Sequence, residues 1–331
     1  MEPGADSSQL KVLRGAAEPS AAGRLLRLSV TNRCNFACLY CVDSRCSRRD
    51  AAQLSSKNLL RHAAWAIRVS GADRVKLTGG EPLLCRDLEH MAESLRSISQ
   101  VREISLTTNG SLLASRAASL LRAGVSRVNI SLDTLDEKRF AELTRGARLR
   151  DALRGVDAAL RAGLHVKLNA VLLRSNWREE LTRLFDYASE RGLTLRLIEL
   201  MNAGGESSWA SREYLPAPEA QRWLQGLCGA ARMQDADGAP SRRSAHLWRG
   251  AMLQLGWIEA RSHPFCGSCQ RLRMDAQAHL HRCLMDPVSF DLPQALRLGE
   301  EAAASSFRKY WDGKRPPMQM RREASMMAIG G

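Results

Sequence analysis

The sequence predicts an α/β fold on a parallel sheet, because short runs rich in Val, Ile, Leu and Thr alternate with longer amphipathic stretches. The runs are RLLRLSV (24–30), RVKLTG (74–79), EISLTT (103–108), RVNISLD (127–133), HVKLNAVLL (165–173) and TLRLIELM (194–201). Between them, SKNLLRHAAWAIRVSG (56–71), SLLASRAASLLRAG (111–124) and NWREELTRLFDYASERG (176–192) repeat apolar residues at helical spacing, and each stops at the glycine expected just past a helix end. Six βα units follow. Right-handed crossovers between them give a sheet that is either open and doubly wound or curled into a partial (β/α) barrel, with its working loops at the carboxyl ends of the strands.

After Met201 the rhythm breaks. Residues 202–262 are richer in Gly, Ser, Pro and Ala, carry the punctuated stretch QDADGAPSRRS, and read as a connector with helices and an irregular hairpin. FCGSCQRLRMDAQAHLHRCL (265–284) comes next, then a mostly helical, basic stretch (285–322) and a tail closing on Gly330-Gly331. The expected organisation is a disordered stretch over 1–22, a barrel over 23–201, and a connector with a second, cysteine-bearing unit over 202–331.

The 331 residues, 44% hydrophobic and 25% charged, suffice to bury a full core. No stretch has the 18 or so consecutive apolar residues of a membrane span, and residues 1–22 lack the apolar centre of a signal peptide. A cytoplasmic protein with no membrane partner is therefore expected. The formal charge of +14, from 49 basic and 35 acidic residues, suits an anionic partner. Nucleic acid fits poorly, since the arginines are scattered along helices and only 5% of residues are aromatic.

Nine cysteines in such a chain point to metal binding or catalysis, because thiols are kept reduced in the cytosol. Cys34, Cys38 and Cys41 fall directly after the first strand run, with Tyr40 before the third, and no histidine is near to complete a tetrahedral zinc site. Three thiolates instead suit a [4Fe–4S] cluster with one iron left open to another molecule. Cys266, Cys269 and Cys283 form a second trio, with Arg271 and Arg273 directly behind the pair. A second open cluster beside two phosphate-binding forks is one reading; a zinc knuckle completed by His279 or His281 is the other. Cys46, Cys85 and Cys228 are left over, the first close enough in sequence to be an extra ligand.

The cysteine spacing, followed by TGGEP (78–82) at the end of the next strand, resembles the radical S-adenosylmethionine (SAM) superfamily. Gly79 and Gly80 would let backbone approach a ligand closely, and Glu81 supplies an acceptor. Over about residues 24–331 the chain resembles more narrowly the GTP 3′,8-cyclase family of molybdenum cofactor biosynthesis. The matching stretches are LRLSVTNRCNFACLYC, RVKLTGGEPLLCRDL, LTTNG, RVNISLDTLD, VKLNAVLL, LRLIELM, PFCGSCQRLRM…HRCL and the closing Gly-Gly. The resemblance implies a partial (β/α)6 TIM-like barrel whose mouth is closed by a C-terminal iron–sulfur domain, and two [4Fe–4S] clusters with SAM as cofactors. It implies conversion of GTP to (8S)-3′,8-cyclo-7,8-dihydroguanosine 5′-triphosphate, a flavodoxin- or ferredoxin-type electron donor, a downstream cyclic pyranopterin monophosphate synthase, and it leaves a homodimer open.

Carried over by position, Cys34, Cys38 and Cys41, with Arg271 and Arg273, are the catalytic set, and the two cysteine trios are the metal ligands. Tyr40, Gly79, Gly80, Glu81, Ser131 and Met201 face SAM. Arg27, Lys76, Thr107, Lys167, Arg196, Arg271, Arg273, Gly330 and Gly331 face GTP. A triphosphate of about four negative charges does need several Arg and Lys groups converging in one pocket. The chain also departs from the family pattern. Lys76 stands where arginine is expected, Val42-Asp43 replaces Met-Pro, Gln270 replaces asparagine, and Ala278 replaces a glycine, which would strain a turn of positive φ. These departures keep open a paralogue acting on another nucleotide or a ribosomal peptide; a metal-stabilised nucleic-acid binder is the non-enzymatic alternative.

Overall fold

The computed structural model describes residues 24–41, 53–201, 207–234 and 241–313. The six expected strand runs are strands β1 (Arg24–Ser29), β2 (Ala72–Thr78), β3 (Glu103–Thr108), β4 (Val125–Ser131), β5 (His165–Leu172) and β6 (Thr194–Glu199). They pair in parallel and in sequence order, so each crossover passes over the same face. On that outer face Leu26, Leu28, Val75, Leu77, Ile104, Leu106, Val128 and Ile130 are fully buried under the helices. Fully burying one such side chain stabilises by about 1.5–3 kcal/mol, which fixes which way each strand faces.

Helix α1 (Ser56–Ser70) shows how the covering layer is written. Ser55 caps it by accepting from the Asn58 amide at 3.4 Å, Leu59, Ala63, Ala66 and Ile67 form its buried stripe, and Gly71 ends it at φ 71°. Helices α2 (Leu88–Arg96), α3 (Ala117–Arg122), α4 (Glu137–Thr144), α5 (Leu149–Arg161) and α6 (Trp177–Glu190) complete the layer.

The sheet does not end at β6. After α7 (Ser207–Glu213) and α8 (Ala217–Cys228), the expected irregular hairpin is a regular one, β7 (Arg242–Trp248) with β8 (Ala251–Ile258), and β8 lies parallel to β6. On the far flank β9 (Arg271–Met274) lies parallel to β1 and carries β10 (His279–His281) and β11 (Phe290–Asp291) antiparallel behind it. The result is one open eleven-stranded sheet in the order β11-β10-β9-β1-β2-β3-β4-β5-β6-β8-β7. The stretch expected to be mostly helical begins with that short strand β11 and then forms α9 (Leu292–Arg297) and α10 (Glu300–Asp312). Among the described residues no helix is long and apolar enough to cross a membrane. The expectations for residues 1–22, Val42-Asp43, Cys46 and Gly330-Gly331 lie outside the described residues.

Candidate active site

The chain leaves β1 through Thr31 and enters the first cysteine loop, which neighbouring loops hold from three sides. On one side the Gly80 amide donates to the Thr31 carbonyl at 2.8 Å and the Glu81 amide to the Arg33 carbonyl at 2.7 Å. A Cβ at Gly80 would stand 2.1 Å from the Arg33 oxygen, and one at Gly79 2.5 Å from the Thr31 oxygen. The two glycines thus bring the TGGEP turn against the backbone of the cysteine loop itself. On the second side the Ala37 and Leu39 amides donate to the carbonyls of Thr144 and Leu143 at the end of α4, and Phe36 meets Phe140 edge-on at 5.9 Å. On the third, Asn35 accepts from Asn109 Nδ2 at 2.9 Å and donates to Ser111 Oγ at 3.0 Å.

The three thiols are near enough to feel one another. Burial, then Cys41, Asp133 and Cys34, push the Cys38 thiol well above its usual range; burial, then Cys34, push Cys41 up to about 12. Three half-buried thiols with raised pKa values form a donor set that a cationic iron cluster would convert to thiolates.

Around this loop, Glu81 is 1% exposed and committed to protein donors: Oε1 accepts from Thr108 Oγ1 at 2.6 Å and the Leu83 amide at 3.0 Å, Oε2 from the Asn109 amide at 2.8 Å. Burial nonetheless raises its pKa to about 7. The expected cofactor acceptor is therefore a tie between the TGGEP and TTNG loops. Tyr40 donates its hydroxyl to Asp133 Oδ2 at 2.5 Å, and Asp133 Oδ1 accepts from the Val171 amide at 2.8 Å. Leu39 and Tyr40 border a small apolar cluster of Leu143, Leu173, Leu200 and Ala210, so α7 roofs the aromatic side of the loop. Ser131 ends β4, and Met201 lies two residues beyond the end of β6.

Alternation along the parallel strands turns the expected cations to the inner face. Arg27 of β1 sits beside Lys76 of β2 on one side and Arg273 of β9 on the other. Asn129 links Thr107 to Lys167 in the same way, and Arg196 lies beside Asn169. Arg273 is 6% exposed and Lys167 8%. Burial, then Arg271 and Arg196, lower the Arg27 pKa to about 9; Lys76 falls well below its usual value through burial, then Arg196 and Arg27. Arg273 falls likewise through burial, then Arg27 and Arg271. Like charges gathered this closely favour an anion in their midst.

The second trio stands at the other end of the sheet. Arg271 is level with Leu25 at the start of β1, so Cys269 lies by the amino ends of the strands, whereas Cys34–Cys41 follow the carboxyl end of β1. Arg271 Nε donates to Cys269 Sγ at 3.3 Å, and its guanidinium lies 4.8 Å from the Phe265 ring. The cations lie between the two trios along the inner face.

Comparison with known proteins places the chain in a family. The Radical SAM superfamily matches residues 28–188, and Molybdenum Cofactor Synthesis C matches residues 193–320. The chain is 40% identical over 278 residues to the GTP 3′,8-cyclase of Pelotomaculum thermopropionicum, covering 83% of this chain and 85% of the relative. It is 37% identical over 275 residues to that of Nitrobacter winogradskyi, covering 82% and 80%. The chain belongs to the GTP 3′,8-cyclase family of radical SAM proteins. The fold is also that of Streptococcus suis SuiB bound to precursor peptide SuiA, with a TM-score of 0.61 and 15% identity over 80% of this chain and 60% of that one.

Within this GTP 3′,8-cyclase family member, several inward residues escaped the sequence reading. Asn129, 1% exposed, accepts from the Arg196 guanidinium and donates to the Leu106 carbonyl at 3.2 Å, aiming the arginine. Asn169 Oδ1 is buried without a hydrogen-bond partner. Gly256 of β8 is level with Arg196, and a Cβ there would stand 2.7 Å from Arg196 Cγ. Period-two alternation in VNISLD and VKLNAV did place Asn129 and Asn169 among apolar neighbours of opposite facing, which was the available signal.

Among the described residues no three Cys, His, Asp or Glu side chains are set to hold a single metal ion. A four-iron cluster asks for something wider, one cysteine on each of three irons. His279 and His281, the alternative zinc ligands, both meet Asp275, at 3.2 and 3.1 Å.

Proposed function

We propose that this protein is a GTP 3′,8-cyclase, a radical SAM lyase that converts GTP to (8S)-3′,8-cyclo-7,8-dihydroguanosine 5′-triphosphate in the first step of molybdenum cofactor biosynthesis. One observation carries the reading: the row Arg273, Arg27 and Lys76, with Lys167 and Arg196 beside it, of which Arg273 and Lys167 are buried and the others half-buried, strung between two three-cysteine loops at opposite strand ends. A triphosphate of about four negative charges is the ligand that such a convergence of Arg and Lys groups favours.

In this reading Cys34, Cys38 and Cys41 hold one [4Fe–4S] cluster and Cys266, Cys269 and Cys283 the second. Tyr40, Gly79, Gly80, Ser131 and Met201 border SAM, while Glu81 holds the loops that shape its site. When bound, the first cluster and SAM supply abstraction of a hydrogen atom from the substrate. The protein does the rest by position. Asp133 holds Tyr40, and the roof formed by α7 keeps water from that side. Asn129 aims Arg196, and Arg27, Lys76, Lys167 and Arg273 neutralise phosphate, with Arg271 beside Cys269 where the purine would meet the second cluster. The Gly330-Gly331 tail completes the substrate set. The same reading brings a flavodoxin- or ferredoxin-type donor, a downstream cyclic pyranopterin monophosphate synthase, a cytoplasmic location, and a division into a barrel over 23–201 and a second-cluster unit over 202–331.

The experiment incubates anaerobically reconstituted protein with SAM, dithionite and GTP. The reading expects 5′-deoxyadenosine together with the cyclised nucleotide. Cleavage of SAM with GTP unchanged would exclude GTP as the substrate.

A further inference from the structure

Glu199, at the last position of β6, is 1% exposed and saturated by four donors from a distant part of the chain. Its Oε1 accepts from the Ser262 hydroxyl at 2.5 Å and the Ala217 amide at 2.9 Å; its Oε2 accepts from the amides of Arg261 at 2.8 Å and Ser262 at 2.9 Å. Burial alone would raise its pKa, but these four bonds outweigh it and lower the value. A carboxylate so engaged holds its donors far more tightly than a neutral acceptor would.

What Glu199 holds matters because of the topology. Strand β8 ends on the β6 flank of the sheet, and β9 begins on the β1 flank at the opposite strand end. Residues 259–270 therefore cross the open side of the sheet, and Cys266 and Cys269 ride on that crossing. Cys266 is four positions past Ser262, so it stays within about 14 Å of the anchor. Three further contacts fix the same take-off point: buried Glu259 accepts from Gln221 of α8 at 3.1 Å and from Arg242 of β7 at 3.3 Å, and the Arg261 guanidinium lies 3.6 Å from the Tyr214 ring.

We propose that Glu199 is a positioning residue for the second cluster, pinning the upper end of the crossing segment so that Cys266 and Cys269 meet Cys283 in the geometry that retains iron. The proposal rests on the reading of that trio as cluster ligands. Three residues earlier on the same strand, Arg196 stands among the inner-face cations, so β6 carries both that arginine and the anchor of the cluster loop.

The test isolates each cluster. In the Cys34→Ala, Cys38→Ala, Cys41→Ala protein only the C-terminal cluster can form; in the Cys266→Ala, Cys269→Ala, Cys283→Ala protein only the N-terminal one. Release of iron to a chelator under anaerobic conditions is followed in both, with and without Glu199→Gln. An amide there can accept only through its oxygen and turns its NH2 on the amides of Arg261 and Ser262 or of Ala217. The expected result is iron release about tenfold to a hundredfold faster from the C-terminal site, as for other residues that support metal ligands, with the N-terminal site unchanged. Ser262→Ala, which removes only the hydroxyl donor, is expected to show the same selectivity at smaller size, and it decides the matter if Glu199→Gln does not fold. Unchanged release from the C-terminal site, or equal acceleration at both, overturns the positioning role. A C-terminal site that takes up no iron with Glu199 intact overturns the cluster reading itself, and the two failures are thus distinct.

Discussion

Lys76 lies between Arg27 and the inner edge of β3, with Arg27 and Arg196 lowering its pKa after burial and Glu103 partly restoring it. A phosphate placed there would favour the ammonium form. Free protein then holds a Lys76 that loses its proton well below 10.5, and the complex holds one that keeps it, so binding takes up a proton between those two values. Nucleotide affinity is expected to fall as pH rises through that window, by up to about tenfold per pH unit. Titration calorimetry in buffers of different ionisation enthalpy measures the uptake; Lys76→Arg should abolish most of it, and an unchanged uptake would remove Lys76 from the phosphate site. The same residue was legible in the sequence only as a strand-end cation. Its coupling to Arg196, four strands along the chain order but facing it across the inner surface, needed the fold. Gly256 was illegible for the same reason: a glycine in AMLQLGWI says nothing until Arg196 lies level with it. Gly256→Ala should displace that arginine and raise the KM for GTP roughly tenfold, a lost charged hydrogen bond of about 1.5 kcal/mol, with SAM cleavage retained. An unchanged KM would mean that Arg196 keeps its grip by another rotamer.

The β9–β10 hairpin shows an element whose turn residue works against its turn. The Ala278 amide donates to the Asp275 carbonyl at 3.0 Å, and Ala278 sits at φ 65° with its methyl fully buried. A left-handed conformation costs a residue with a Cβ about 1–2 kcal/mol, and burying one methyl returns about 0.8 kcal/mol. Ala278→Gly is expected to stabilise by on the order of 0.5 kcal/mol, seen as a higher midpoint in thermal unfolding; a lower midpoint would show that the methyl's packing dominates. Here the sequence did foretell the strain, because a cysteine-flanked turn with alanine in a glycine's place was readable. Strands β9, β10 and β11 were not. They have 4, 3 and 2 residues, too few for a period to appear, and β9, on which the other two are built, pairs with β1, a partner more than two hundred residues away. The long runs β1 to β6 were legible because their outer faces carry Leu, Val and Ile at every second position while their inner faces stay polar.

At the scale of the molecule, the two cysteine loops occupy opposite ends of one sheet and the cations occupy the distance between them. Sequence order alone places the trios at opposite ends of the chain; only the parallel pairing of β9 with β1 puts them at opposite ends of a common inner face, with Arg27 and Arg273 side by side midway. That geometry gives each trio its own task and makes them separable. Removing the N-terminal cysteines should abolish SAM cleavage and spare nucleotide binding, whereas removing the C-terminal ones should weaken nucleotide binding and leave uncoupled SAM cleavage. The most direct test of the whole account is iron and sulfide analysis with Mössbauer spectroscopy of anaerobically reconstituted protein beside its Cys34→Ala, Cys38→Ala, Cys41→Ala variant. The account predicts about eight irons per chain falling to about four, all in [4Fe–4S] form; a variant that keeps the full iron content, or a parent protein whose N-terminal loop takes up none, would contradict it.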